Sequence, residues 1–241
     1  MSETKYAIMV KELSKSYGNK LAVDNISFQV ESGTIYGLLG HNGAGKSTTI
    51  ECLLGTKSYD HGEIEILTRN HSGNRRELFK EIGVQFQECA YQNKIKVKEI
   101  CEINHSFYKV ANDWREMLKE FGLGDKENSF VASLSGGERQ KLFIILAVMH
   151  NPKLVFLDEL TTGLDPKARR DVWKYIQVLK EKGVTIFLTS HFMDEVEFLC
   201  DYISILKKGK ILISGTVNEV IEAAGTKNMD EAFLHYVEEE E

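Results

Sequence analysis

The amino-acid sequence predicts an α/β fold. Its sheet is mixed, a parallel core plus an antiparallel part toward the N-terminus, and an α-helical sub-domain is inserted into it. Apolar strand-like runs lie toward both ends of the chain, among them Thr34 to Leu39 and Val184 to Leu188. Helical spacing takes over between them, and a glycine-rich loop directly follows one of the first strands. The organisation read from this pattern is one domain over 1–225, with a core at 1–87 and 151–225 and a helical sub-domain at about 88–150; a C-terminal helix and acidic tail follow at 226–241.

Ile26, Phe28 and Val30 alternate with polar residues, the period of a half-buried strand. Thr34 to Leu39 is a second apolar run, ending in glycine, and Thr48 to Leu54 suits a helix. Gly62 to Ile66 and Ile82 to Phe86 read as short strands around a polar, basic helix near Arg75 to Glu81. Beyond Gln87 the strand pattern fades, and Trp114, Met117, Leu118 and Phe121 share one helical face. Strand patterning resumes at Lys153 to Leu157, followed by a helix from Lys167 to Glu181 and the strand from Val184 to Ser190. A hairpin over Ile203 to Ser214 turns at Lys207 to Lys210. There is no internal repeat and no low-complexity linker.

A chain of 241 residues, 42% of them hydrophobic, has enough apolar material for a sizeable core, so disorder does not compete as a reading. The net charge of −6 argues against a general binder of nucleic-acid backbones. Cys52, Cys89, Cys101 and Cys200 are scattered without the paired spacing of a zinc site and read as reduced thiols. The longest apolar run, Leu142 to Met149, is far shorter than the ~20 residues needed to cross a bilayer. Met1 to Lys5 is polar and gives no signal-peptide core, so a membrane role is expected only through a partner.

Gly40-His41-Asn42-Gly43-Ala44-Gly45-Lys46-Ser47 matches the phosphate-loop pattern, in which glycines let backbone N–H groups wrap phosphates at a helix N-terminus. Lys46 then reaches the β and γ phosphates and the Ser47 hydroxyl holds Mg²⁺, with Thr48 next in the first helical turn. Leu154-Val155-Phe156-Leu157-Asp158-Glu159 suits a buried parallel strand that delivers two carboxylates to its C-terminal edge, Asp158 toward the metal and Glu159 toward an attacking water. In Leu134-Ser135-Gly136-Gly137-Glu138-Arg139-Gln140, Ser135 and Glu138 have the spacing of a capping box. Each glycine in the first turn costs about 1 kcal/mol against alanine, which points to a close backbone approach. A capped helix start with free amides suits a phosphate, here one bound to another subunit, since the chain's own loop already covers one side.

These motifs, in this order, resemble the nucleotide-binding subunit of ATP-binding-cassette (ABC) transporters over nearly the whole chain. The resemblance implies a P-loop NTPase core, Mg²⁺-dependent ATP hydrolysis, and two subunits sandwiching two ATP, each between one phosphate loop and the other subunit's Ser135, Gly136 and Gly137. It assigns Tyr17 to adenine stacking, with a packing tyrosine as the bland alternative. Gln87 is assigned to Mg²⁺, water and the link to the helical insert, with Gln85 close by. His191 becomes the switch residue at the γ-phosphate, and Asp165 part of a loop crossing to the other subunit. Leu160 stands where the family usually has proline, which leaves φ less fixed. The ending Met229-Asp230-Glu231-Ala232-Phe233-Leu234 resembles the branch serving exporters of drugs, lipids, polysaccharides or antibiotic peptides. The implied partners are separate membrane permease subunits, met at the cytoplasmic face of the cell membrane, and a second cassette, identical or related. A regulatory protein that closes on ATP, or a soluble mechanical ATPase, is the alternative function.

Overall fold

The computed structural model describes residues 5–70, 75–86, 91–92 and 94–238. The N-terminal part comprises β1 (Tyr6–Tyr17), β2 (Lys20–Glu31), β3 (Ile35–Leu39), α1 (Lys46–Leu53), β4 (His61–Ile66), β5 (Arg69–Asn70), α2 (Arg75–Leu78) and β6 (Ile82–Gln85). Three helices follow, α3 (Val97–Ser106), α4 (Trp114–Glu120) and α5 (Gly136–Val148). The chain then returns to alternation with β7 (Leu154–Asp158), α6 (Pro166–Glu181), β8 (Thr185–Ser190), α7 (Met193–Leu199), β9 (Tyr202–Lys207) and β10 (Lys210–Thr216). It closes with α8 (Val217–Ala224) and α9 (Met229–Glu238).

Two sheets result. The first is antiparallel, in the order β2-β1-β4-β5, and the second runs β10-β9-β3-β8-β7-β6. Every pairing in the second sheet is parallel except that of β10 with β9. Residues in β3, β7 and β8 are buried throughout, as continuous apolar runs in a sheet covered on both faces must be. The mixed sheet predicted from the sequence is present, with its antiparallel part split off as a separate layer.

An aromatic stack joins the two sheets. Phe28 of β2 meets Tyr36 of β3 at 5.5 Å between ring centroids, Tyr36 meets Phe187 of β8 at 5.6 Å, and Phe187 meets Phe156 of β7 at 5.5 Å. The other face of the parallel sheet packs on α5, α6 and the helices of the insert, through Leu142, Ile145, Val172 and Ile176. Trp114, Met117, Leu118 and Phe121 are all buried, so the single helical face read from their spacing is the packed face of α4.

Some elements differ from the sequence reading. The helix near Arg75 lasts one turn, and α1 starts at Lys46 rather than Thr48. The twelve-residue β1 hides its alternation because its register shifts between Val10 and Leu13 and Glu12 sits at a φ of 50°.

The seam between β6 and α5 has no room for side-chain atoms at Gly83, where a Cβ would stand 2.1 Å from the Ala147 carbonyl oxygen. Gly83→Ala is expected to lower stability by about 1–3 kcal/mol, the cost of overpacking a filled interior. Urea denaturation midpoints at constant slope check this.

Candidate functional site

β3 ends at a loop that only glycine can build. Gly40, Gly43 and Gly45 have φ values of 156°, 80° and 115°. A Cβ on Gly40 would lie 2.4 Å from the Leu206 carbonyl oxygen, and one on Gly45 would lie 2.5 Å from that of Ala22. The loop therefore lies flat against backbone from both sheets and delivers the first amides of α1, the positive end of the helix dipole, into a cleft of about 370 Å³. Asn42, Gly43, Gly45, Lys46, Ser47 and Thr48 line this cleft, with Tyr17, Lys20 and Ala22 from the antiparallel sheet and Glu159 from the end of β7.

Lys46 is 4% exposed. Its Nζ donates to the Gly40 carbonyl at 2.7 Å and the His41 carbonyl at 3.3 Å, and stands 3.4 Å from Glu159 Oε1. The same carboxylate oxygen lies 3.7 Å from His191 Nδ1. Lys46 opens the helix that follows β3, and Glu159 and His191 directly follow β7 and β8; the three strands are neighbours in the sheet. Parallel strands thus bring a cation, an acid and an imidazole to one carboxyl edge. Glu159 adopts a left-handed φ of 48°, held by its amide donating to the Thr189 carbonyl at 3.2 Å and the Thr189 hydroxyl at 3.1 Å. Asp158 is buried and accepts from the Thr189 hydroxyl at 2.5 Å; burial pushes its carboxyl up from the ordinary range, against that hydrogen bond.

Among the described residues no cluster of three or more His, Cys, Asp or Glu side chains could hold a metal ion. Ser47 and Glu159 line the cleft beside the loop, and Asp158 immediately precedes Glu159 at the end of β7. Such a set suits a hard cation that takes its remaining ligands from phosphates and water.

Ser135 caps α5. Its hydroxyl accepts from the Glu138 amide at 3.2 Å and its amide donates to Glu138 Oε2 at 2.8 Å, the reciprocal box read from the sequence. A Cβ on Gly137 would stand 2.8 Å from Ala168 Cβ on α6, whereas one on Gly136 would make only ordinary contact with Leu164 at 3.4 Å. Packing against α6 is therefore a sufficient reason for Gly137. Ser135, Gly136 and Gly137 do not line the cleft beside the chain's own phosphate loop.

Comparison with known proteins fits this geometry. The sequence model of the family described as ABC transporter matches residues 23–162, more than half of the chain. This chain belongs to that family. It is 38% identical over 224 residues to the Nod factor export ATP-binding protein I of a Rhizobium strain, covering 91% of this chain and 74% of the relative. It is 37% identical over 208 residues to the bacitracin transport ATP-binding protein of Bacillus licheniformis, covering 85% and 68%. A solved ATP-binding subunit of an ABC transporter superposes with a TM-score of 0.86 at 27% identity, covering 95% of this chain and 99% of that one. As an ABC ATP-binding subunit the protein is an ATPase, and it works with membrane permease components. Among the described residues no helix is long and apolar enough to cross a membrane.

Other positions of the ABC subunit can be placed individually. Tyr17 is 44% exposed at the cleft rather than packed in the core, with Lys15 Nζ 5.4 Å from its ring centre. Gln87 and Cys89 lie outside the described residues. Gln85 is buried, and its Nε2 donates to the Phe86 carbonyl at 2.8 Å. Cys52, Cys101 and Cys200 are free. Asp165 caps α6, accepting at 3.0 Å from the amides of both Lys167 and Ala168. Leu160 is buried in the apolar cluster under α5 and α6, and the Gln140 side-chain amide donates to its carbonyl. That loop is thus held by burial and a hydrogen bond where a proline ring is usual.

Sequence reasoning missed Glu195. It is 2% exposed, and its Oε1 accepts from the Thr161 hydroxyl at 2.8 Å and Trp173 Nε1 at 3.0 Å. It ties the segment after Glu159 to α6 and α7. The pair Asp194-Glu195 soon after His191 was the available signal, but acids in a first helical turn ordinarily read as solvated.

Two expectations follow from this packing. Gly137→Ala is expected to destabilise the subunit, and Ala168→Gly to recover most of that loss, because the second change removes the atom the first one meets; thermal melts of the double variant check it. Burial holds the Glu195 carboxyl above its ordinary range. The stability associated with its protonated form, present below the unfolded carboxylate pKa, is lost as pH rises through the raised value. Glu195→Gln keeps a carbonyl acceptor and has no proton to lose. It is therefore expected to show a flatter stability profile than wild type between acid and neutral pH in urea titrations; parallel profiles would refute it.

Proposed function

We propose that this chain is the ATP-hydrolysing subunit of an exporter, and that it closes as a dimer around two Mg-ATP. The observation that carries the reading is the convergence of Lys46, Glu159 and His191 beside a glycine-built loop that presents amides to a cleft. Both curated relatives named above are transport proteins for compounds that leave or are moved by the cell, which supports the direction of transport.

In this reading Lys46 exchanges the Gly40 and His41 carbonyls for phosphate oxygens. The amides of Asn42, Gly43, Gly45, Ser47 and Thr48 wrap the phosphates, Ala44 keeps its amide on the His41 carbonyl within the loop, and the Tyr17 ring stacks on adenine. Ser47, Asp158 and Gln87 would hold Mg²⁺, which spreads the charge of the transferring phosphoryl group. Glu159 takes the proton of the attacking water, while His191 donates to the γ-phosphate. Ser135, Gly136 and Gly137 of a second copy cover the outer side of each phosphate, with the Ser135 hydroxyl proton and the Gly136 and Gly137 amides, since the capping box already uses the Ser135 amide.

The permease surface we assign to a groove of about 380 Å³ between β6 and the insert, floored by Ile82, Val84, Leu146 and His150 and walled by Ile100 and Tyr108. Ile103, Phe107 and Val110 nearby are 51%, 75% and 77% exposed. Solvated apolar groups grouped this way suit an interface. The subunit then sits on the cytoplasmic face of the membrane without crossing it.

Glu159→Gln keeps the side-chain shape and loses the base. It is expected to retain ATP and, by light scattering, to double in mass on adding Mg-ATP, with turnover reduced by about two orders of magnitude or more. Turnover within twofold of wild type would remove Glu159 from the role.

A further inference from the structure

The C-terminal helix reaches the phosphate loop. Phe233 of α9 is 6% exposed and packs edge-on against the His41 ring, with centroids 5.1 Å apart and planes at 67°. His41 is the second residue of the loop. Its carbonyl accepts from the Ala44 amide at 3.1 Å and from Lys46 Nζ at 3.3 Å, so its backbone is part of the cradle while its side chain points to the helix.

α9 is firmly seated. Met229 and Ala232 are fully buried, in a cluster with Leu39 at the end of β3, Met193 and Val196 of α7, and Ile203 and Ile205 of β9. The Met229 amide donates to the Glu197 carboxylate on α7, and the Asn228 side chain accepts from the Glu231 amide at 2.9 Å. The helix therefore bridges the two ends of the nucleotide site, the loop after β3 and the helix that starts two residues beyond His191.

The geometry points to Phe233 as a positioning residue for ATP, acting through His41 to hold the loop in its phosphate-binding shape, and so to α9 as the element that sets nucleotide affinity. This rests on the reading that the loop binds ATP. An edge-to-face aromatic pair fixes ring orientation as well as separation, which a merely apolar neighbour does not. Leucine at 233 fills the same cluster and keeps α9 seated, but it offers no ring to His41.

The test is ATP affinity of the full chain by calorimetry, in a cycle of Phe233→Leu, His41→Ala and the double variant, with melting midpoints recorded alongside. Phe233→Leu and His41→Ala are each expected to weaken ATP roughly threefold to tenfold, and the double variant no further than either alone. Phe233→Tyr, which keeps an aromatic ring against His41, is expected to bind ATP within twofold of wild type, and His41→Ala reports on the contact even where a change at Phe233 impairs folding. Losses that multiply in the double variant would overturn the inference, as would unchanged affinity in Phe233→Leu. Lys46→Ala separates the two readings: if it loses ATP while Phe233→Leu does not, only the role of α9 falls, and if it keeps ATP both fall.

Discussion

The close approach of backbone to backbone at the phosphate loop is the constraint on which the rest depends. Gly40 lies against the Leu206 carbonyl of β9, and Gly45 lies against the Ala22 carbonyl of β2. One loop thus touches both sheets at once. The turn between β9 and β10 completes the junction: the Gly209 amide donates to the Ala44 carbonyl at 2.9 Å, and the Gly209 carbonyl accepts from the Asp24 amide at 2.9 Å. The antiparallel sheet is therefore registered on the parallel one by hydrogen bonds that run through the nucleotide loop, and Tyr17 and Ala22 reach the cleft because of that registration. A side chain at Gly40 or Gly45 would separate the sheets and misplace the loop together.

Electrostatics explains why the strand ends are arranged as they are. Lys46 and Glu159 are both largely withdrawn from water, and each would be costly to bury without the other. Their contact is satisfied on the lysine side by two loop carbonyls, while Glu159 is kept at a left-handed φ by the Thr189 backbone and hydroxyl. Strain at a carboxylate that sits 3.4 Å from a cation and 3.7 Å from an imidazole is the pattern of a site organised for charge development rather than for stability. Glu195 extends the arrangement inward, since a buried acid shared by Thr161 and Trp173 fixes the segment that leaves Glu159.

Much of this was legible in the sequence because it is carried by residues whose physical reason is local. Glycines at fixed offsets announce the loop, four apolar residues followed by two acids announce β7, and Ser135 with Glu138 announces a helix start that the structure reproduces as a reciprocal cap. What was illegible depends on contacts distant in sequence. The packing reason for Gly137, the Ala168 Cβ 2.8 Å from where its own Cβ would be, has no signal in the sequence. Leu160 reads as a loosened loop until its burial and the Gln140 hydrogen bond are visible. Strand β1 escapes a period-of-two reading because its register shifts interrupt the alternation while leaving Ile8, Val10 and Leu13 buried.

The strand order also relates the two surfaces that the proposed function uses. β6 pairs with β7 in parallel register, Gln85 opposite Leu157, so the strand that ends at the apolar groove lies directly beside the strand that ends at Asp158 and Glu159. Gly83 makes this pair tighter, because α5 approaches β6 with no gap for a methyl group. α5 begins at the capped Ser135 and passes behind the same groove through Phe143, Leu146 and Ala147. A segment seated in the groove therefore bears on α5, which is continuous with the capped glycines, and on β6, which is hydrogen-bonded to the strand that ends beside Glu159. Packed interiors of this density do not deform smoothly; they shift as units. On the proposed reading, motion at the groove and closure over the nucleotide are two displacements of one rigid piece, and that rigidity is what would couple a permease segment to the site beside β7.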